Sequence, residues 1–378
     1  MKIAVVGHIR HAIAAPFMGG MESHCHQLVS ALEKRGHEVT LFAARGSDAK
    51  DLQPICDGPY EDCLPWQEWH GSDALCAFQD RAFGRAQGAI EAGRFDVVHN
   101  NSLSPAMIDW GRISGHPIVT SQHVPPFLAM SEAVARARDT ASSQFTVTSR
   151  HQLGIWAGSV GDNMHVVPNG IDLDDWREAP DRSDYLIWFG RITPNKGLRE
   201  AVTAAQIAGA RLKIVGTIED RAYFDEHVAP RLGDAISYEG HLAGAQLATI
   251  VAGARAAVVT PMWDEPFGLV AAEAMAAGVP VIAFDRGAMR EVLGDCGWLV
   301  PAGDAQALAQ AMSRAGEFDG AACRDRVRAR FSVERMIEGY EAIYAKAVAG
   351  ARAGAGARPA RDQAACSSSQ SSTSALLA

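Results

Sequence analysis

Short apolar runs recur along the chain, separated by longer stretches with helical spacing. In the first half they are IAVVG (3–7), VTLFA (39–43), FDVVHN (95–100), PIVTSQH (117–123), FTVTS (145–149) and HVVPNG (165–170). In the second half they are YLIWFG (185–190), ARLKIVG (210–216), AISYEG (235–240), ARAAVVT (254–260), PVIAF (280–284) and GWLV (297–300). Most of these runs are continuous rather than alternating apolar and polar. That pattern predicts strands covered on both faces, hence parallel sheets with crossover helices. Between the two sets lies NGIDLDDWREAPDRSD (169–184), a polar, acidic stretch with Gly and Pro that reads as a linker. The expected fold is α/β: two doubly wound, Rossmann-like domains in tandem, spanning 1–170 and 171–330. Ligands of such sheets bind at the carboxyl ends of the strands, so two facing domains would share a site in the cleft between them.

The end of the chain differs. FSVERMIEGYEAIYAKAVA (331–349) places apolar residues at 333, 336, 337, 340, 343 and 344, a helical stripe. From 350 to 378 there are almost no aromatic or β-branched residues, and that tail is expected to be disordered. The opening MKIAVVGHIRH reads as a buried strand rather than a signal peptide, and no apolar run has the length needed to span a bilayer. The expected location is therefore the cytoplasm, with at most peripheral membrane contact.

Composition narrows the partners. The formal net charge is −9, which argues against a general binder of nucleic acid or anionic membranes. The seven cysteines follow no disulfide or zinc spacing. Cys56, Cys63, His70 and Cys76 share one stretch without a C-x-x-C pair, so reduced thiols are expected and no metal site is predicted. The glycine fingerprint of dinucleotide binding is absent after the first strand, which weakens a nicotinamide-cofactor reading.

Four stretches carry candidate chemistry. FGRITPNKG (189–197) follows a strand and sets Arg191 and Lys196 on one loop, a planar fork and a mobile point charge that a diphosphate can use together. An ordinary basic surface loop fits the same residues. WDEPFGLVAAEAMAAG (263–278) holds two carboxylates in an apolar, alanine-rich segment. Pro266 keeps Glu265 in the approach loop, and a helix opens around Phe267–Gly268 with free amides that make an anion site. Glu273 lies one to two turns into that helix, where a carboxylate can accept two hydrogen bonds from a diol; a buried ion pair is the alternative, since an unpartnered carboxylate costs several kcal/mol. FMGGMESHCHQL (17–28) offers Gly19 and Gly20 for close backbone approach, while His24 and His26 face different directions on their helix. In TSQHVPPF (120–127), His123 ends a strand and would face the cleft, or serve as a satisfied structural histidine.

Taken together, these residues resemble family 4 glycosyltransferases, which have the GT-B fold. In order, the resemblance includes GGMESH, RGHEVTLFA, FDVVHNNSLSP, PIVTSQH, VVPNGID, GRITPNKG, EPFGLVAAEAMAAGVPVIA and RGAMREV, up to about residue 349. The E-x7-E spacing of Glu265 and Glu273 is the most specific element. The resemblance implies a retaining, metal-independent transfer of a sugar from a nucleoside-diphosphate sugar, UDP-linked, to an unidentified glycan, lipid or small-molecule acceptor. The nucleotide sugar is a substrate, so no cofactor is implied, and nucleic acid is not a partner. It implies that Arg191 and Lys196 hold the diphosphate and Glu273 the ribose, with Gly190 a further substrate-binding residue. Glu265 would hold the transferred sugar, while the amides of Phe267, Gly268 and Leu269 meet phosphate and sugar. Gly19 and Gly20 would approach the donor from the opposite domain, and His123 would lie beside the reacting sugar. Gly240 and Leu242, in the YEGHL turn, would frame the base. The 331–349 helix would cross back onto the N-terminal domain.

Three other readings use some of the same residues. A glycoside hydrolase would use Glu265 and Glu273 as its carboxylate pair but leaves Arg191 and Lys196 unemployed. A nucleotide-sugar epimerase would share the donor site. A non-enzymatic two-domain sugar-binding protein would not need the diphosphate residues.

Overall fold

The computed structural model describes residues 1–179 and 181–357. Its first sheet contains β1 (Lys2–Val6), β2 (Glu38–Ala44), β3 (Leu52–Cys56), β4 (Val97–Asn100), β5 (Ile118–Gln122), β6 (Ser143–Val147) and β7 (Met164–Val166). The second contains β8 (Leu186–Phe189), β9 (Leu212–Val215), β10 (Ile236–Tyr238), β11 (Ala256–Val259), β12 (Val281–Phe284) and β13 (Gly297–Val300). The strand orders are β3-β2-β1-β4-β5-β6-β7 and β10-β9-β8-β11-β12-β13. Every pairing is parallel. Ile3, Val5, Ile187 and Val281 are fully enclosed, as continuous apolar strands between helical layers must be.

β3 has no counterpart among the apolar runs. Its sequence is LQPIC, and Pro54 can sit there only because β3 is the edge of the sheet, where a missing N–H costs no ladder bond.

Strand order in each sheet reverses beside its first strand, between β1 and β4 and between β8 and β11. Loops leaving these paired strands diverge and open a crevice at their carboxyl ends. In the first sheet that crevice is walled by the segment after β1, with Gly19 and Gly20, and by Asn101 after β4. In the second it is walled by Gly190–Gly197 after β8 and by Thr260–Gly268 after β11.

The chain passes between the sheets at two adjacent points. The Ile171 N–H donates to Phe331 O (2.7 Å), and Ile171 bridges Ser332 in parallel. Beyond Ile171 the predicted linker is docked: Leu173 and Trp176 pack on the core of the second sheet. After the return crossing, a helix over Val333–Ala357 lies on the first sheet, with Met336, Ile337, Tyr340 and Tyr344 in one core with Ile3, Val5 and Val119. This helix is longer than its stripe implied, continuing past 349 to Ala357. Alanine and arginine sustain it, and no proline intervenes before Pro359. Gly350 lets it pass the Ala141 turn, where a Cβ would lie 2.1 Å from Ala141 O. Of the expected disordered tail, residues 350–357 are helical, and the rest lies outside the described residues. Among the described residues, no helix is long and apolar enough to cross a membrane.

Candidate functional site

On the second sheet, the end of β8 builds the cationic part of the site. Gly190 takes φ +144, and a Cβ on Gly216 at the end of β9 would collide with Gly190 O at 1.8 Å, so two strand ends meet more closely than side chains would allow. Arg191 follows, and Lys196 closes the short helical turn Pro194–Lys196. Thr260, at the end of β11, accepts from the Trp188 indole (3.1 Å) and donates toward Gly197 O (2.9 Å). The Met262 N–H donates to Asn195 O at 2.8 Å. The lysine-bearing turn is therefore fastened to the neighbouring strand.

The loop after β11 carries Glu265. Lys196 Nζ donates to Glu265 Oε2 at 2.7 Å, the Trp263 indole donates to the same oxygen at 2.7 Å, and Lys196 Nζ lies 5.1 Å from the Trp263 ring centre. A cation, a carboxylate and an aromatic face thus form one cluster. Arg191 has a separate partner, donating to Glu219 Oε2 at 2.7 Å.

The helix after Glu265 spans Leu269–Ala276, starting slightly later than the expected Phe267–Gly268 opening. Gly268 is its N-cap at φ +95, a conformation that disfavours a side chain, and a Cβ there would strike Met289 Cε at 2.0 Å. Phe267 is buried edge-on against Phe331 (5.3 Å), which fixes the entrance to the helix. No side chain caps this N-terminus, so its first N–H groups remain available to an anion. Glu273 is half-buried on the same helix, and among the described residues it has neither an ion-pair nor a side-chain hydrogen-bond partner. Burial pushes its pKa up to about 7. Gly240, at φ +84, accepts a hydrogen bond from the Gly216 N–H (2.9 Å), and Leu242 packs against the core beneath the helix.

The facing wall belongs to the first sheet. Gly19 is the N-cap of the helix Gly20–Lys34. A Cβ on Gly20 would lie 2.8 Å from Leu269 Cδ1, and one on Gly19 would lie 3.9 Å from Arg191 Nε. These two glycines therefore bring the first domain directly onto the Leu269–Ala276 helix and Arg191. Thr148 Oγ1 donates to Pro266 O at 3.0 Å, a further tie across the cleft.

His123 lies at the end of β5. Its Nε2 is 3.2 Å from Asn101 Oδ1, and its ring is 4.3 Å from that of His24. With Asn101 Oδ1 as acceptor, Nε2 carries the hydrogen and Nδ1 is left as an acceptor. Burial holds His123 down at about pKa 4, so it is neutral at pH 7. Behind it, His99 Nδ1 is 2.5 Å from Tyr344 Oη and Nε2 is 2.8 Å from Ser121 Oγ. Burial depresses His99 to about 3 and His24 well below its ordinary value. His26 points elsewhere, toward Asp48 (3.6 Å).

The structure thus gathers Arg191, Lys196, Glu265, Gly268, Leu269 and Glu273 on one wall of the cleft and Gly19, Gly20 and His123 on the other. The motif reading did not single out Trp263, Thr260, Glu219 or Arg10. Trp263 sits two residues before Glu265, and its nearness was the only signal. The other three become site residues through contacts distant in sequence.

Comparison with known proteins bears on the family and the fold. A family profile described as "Glycosyltransferase Family 4" matches residues 18–175, and one described as "Glycosyl transferases group 1" matches residues 183–317. The phosphatidyl-myo-inositol mannosyltransferase of Mycobacterium leprae (strain TN) is 28% identical over 318 residues, covering 78% of this chain and 83% of that protein. Among solved structures, sucrose-phosphate synthase from Thermosynechococcus elongatus has a TM-score of 0.76 at 22% identity, covering 92% of this chain and 100% of the other. HepE from Anabaena, in complex with UDP-glucose, has a TM-score of 0.68 at 18% identity, covering 90% and 100%. Two parallel-sheet domains facing across a cleft, with these profiles on both, identify the chain as a glycosyltransferase of family 4 with the GT-B fold.

Proposed function

We propose that the enzyme transfers a sugar from a nucleoside-diphosphate sugar, UDP-linked, to a glycan, lipid or small-molecule acceptor, with retention of anomeric configuration and without a divalent metal. The observation that carries this reading is the wall formed by Arg191, Lys196 and the uncapped start of the Leu269–Ala276 helix, with Glu265 at its edge. A UDP-linked donor is in keeping with HepE, whose complex contains UDP-glucose.

Breaking the bond between the anomeric carbon and the diphosphate oxygen leaves negative charge on the phosphates. Arg191, Lys196 and the helix amides supply positive charge for it, the work a divalent ion does elsewhere. The diphosphate takes over Lys196 from Glu265, whose carboxylate then accepts hydrogen bonds from the transferred sugar. Glu273, unpartnered and half-buried, accepts from the ribose diol, which relieves the cost of its burial. Neutral His123 accepts a sugar hydroxyl hydrogen at Nδ1.

The first test is thermal stability with UDP, GDP, ADP and TDP at one shared concentration, about 100 times a plausible Kd, where a true ligand adds roughly 2.7 kcal/mol. UDP is expected to give the largest shift; no shift with any of them ends the donor-site reading. Transfer in EDTA, with the product anomer assigned by NMR, then tests metal independence and retention. Loss of transfer in EDTA, or an inverted product, contradicts those parts.

A further inference from the structure

Glu219 is the only carboxylate among the described residues that bonds an arginine from each domain. Its Oε2 accepts from Arg191 Nη1 at 2.7 Å, and its Oε1 accepts from Arg10 Nη2 at 3.2 Å. Arg191 and Glu219 belong to the second domain, on the segments after β8 and β9. Arg10 belongs to the first, on the segment after β1. It also donates to Glu61 through Nε (2.9 Å) and Nη2 (3.2 Å). Gln67 Nε2, again from the first domain, donates to Glu219 O at 3.3 Å. The Ile192–Ile218 bridge holds the loops bearing Arg191 and Glu219 side by side.

This geometry has a consequence for an incoming anion. Arg191 is the most open of the three side chains, at 41% exposure, while Glu219 is at 23% and Arg10 at 17%. A diphosphate approaching Arg191 therefore meets a guanidinium already bonded to a carboxylate. The diphosphate and the Glu219 carboxylate then compete for one cation, so that binding of the first weakens the hold of the second and favours its release. Glu219 need not be stranded when displaced, because its other oxygen already faces Arg10. A carboxylate that keeps one charged partner costs less to release than one left alone.

We propose that Glu219 is an internal competitor for the donor diphosphate and that Arg10, from the opposite domain, tunes donor affinity by receiving Glu219 when Arg191 is taken. Glu219 is thus a positioning residue acting through Arg191. The inference rests on the reading of Arg191 as a diphosphate ligand.

Its sign separates it from a merely structural role. Were Glu219 only a brace for Arg191, neutralising it would weaken donor binding. As a competitor, its neutralisation strengthens binding.

The experiment is calorimetric titration of the full chain with UDP and, separately, GDP, with circular dichroism and melting curves to confirm that each variant is folded. Arg191→Ala should weaken the nucleotide that binds wild type. Glu219→Gln should tighten it by about three- to fivefold, the range of one partly exposed ion pair. Glu219→Asp, which keeps the charge, should not tighten it. Arg10→Ala, or Arg10→Gln if the alanine variant does not fold, should weaken binding by about the same factor. In the Glu219→Gln background the Arg10 substitution should lose most of that effect, since nothing remains to be received.

Unchanged or weaker binding by Glu219→Gln overturns the proposal. So does an Arg10 effect of equal size in both backgrounds. If neither nucleotide binds wild type, or if Arg191→Ala binds as wild type does, the donor-site reading itself falls, and this inference with it. If Arg191→Ala weakens binding while Glu219→Gln does not tighten it, only the inference falls.

Discussion

The two walls of the cleft handle charge in opposite ways. On the first sheet, the histidine cluster around His123 is neutral: His24, His99 and His123 are all held uncharged by burial. On the second, charge is kept but paired, Arg191 with Glu219 and Lys196 with Glu265, in partly open settings. A neutral, enclosed wall suits hydroxyl groups, because its hydrogen bonds carry no ionic penalty. A wall of exchangeable ion pairs suits a diphosphate, because each cation can change partners without being left bare. Glu273 stands outside both patterns, a carboxylate with no partner on the charged wall.

The strongest break in this contrast comes from removing a cation. Lys196→Ala should slow transfer by about two to three orders of magnitude, or about 3–4 kcal/mol, while leaving the fold intact. Steady-state turnover beside a melting curve checks both halves of that statement. A folded variant with normal turnover would mean that the charged wall does not stabilise the leaving group.

Next comes the pH response of the neutral wall. The folded pKa values of His99 and His123, about 3 and about 4, lie below the ordinary 6.5, so the unfolded chain binds more protons between those limits. Stability should therefore fall as pH drops from 6.5 toward 4. Urea midpoints across that range check it, and a flat profile would place these histidines in contact with water.

Glu273 behaves with the reverse sign. Its folded pKa of about 7 lies above the ordinary 4.5, so the carboxyl is tolerated at low pH and becomes a burden as pH rises through 7. Glu273→Gln should raise Tm by roughly a few degrees at pH 8 and scarcely change it near pH 4.5. The same variant should bind nucleotide less well, because an amide is a poorer acceptor for a diol than a carboxylate. An equal Tm change at both pH values would mean that the carboxylate has a partner in the fold.

The smallest effect lies farthest from the chemistry. Tyr344→Phe removes the hydroxyl 2.5 Å from His99 Nδ1 and leaves a buried nitrogen unsatisfied. About 1–3 kcal/mol of stability should be lost, readable by chemical denaturation, with turnover little changed.

Much of this contrast was legible in the sequence, for identifiable reasons. The strands were readable because continuous apolar runs mark a sheet covered on both sides. Arg191, Lys196, Glu265 and Glu273 stood out because charge interrupted apolar or loop-forming stretches. β3 was not readable, since Pro54 argues against a strand unless its edge position is known. The end of the last helix was misplaced because apolar spacing marks the part that packs, whereas alanine can carry a helix beyond it. Ion-pair partners were the hardest. Glu219 lies 209 residues from Arg10, and nothing local to either residue predicts that their loops meet. His99 was visible only as a polar break in a strand, and its partner Tyr344 only as one member of a helical stripe.

The closing helix also bears on the order in which the chain can fold as it is made. Tyr340 and Tyr344 complete the face of the sheet that holds Ile3, Val5 and Val119, yet they leave the ribosome only after the whole second domain. The first domain emerges first but must wait with an apolar face uncovered, while the second can close without it. Synthesis order and folding order are therefore partly inverted, and through that interval the apolar face is open to aggregation.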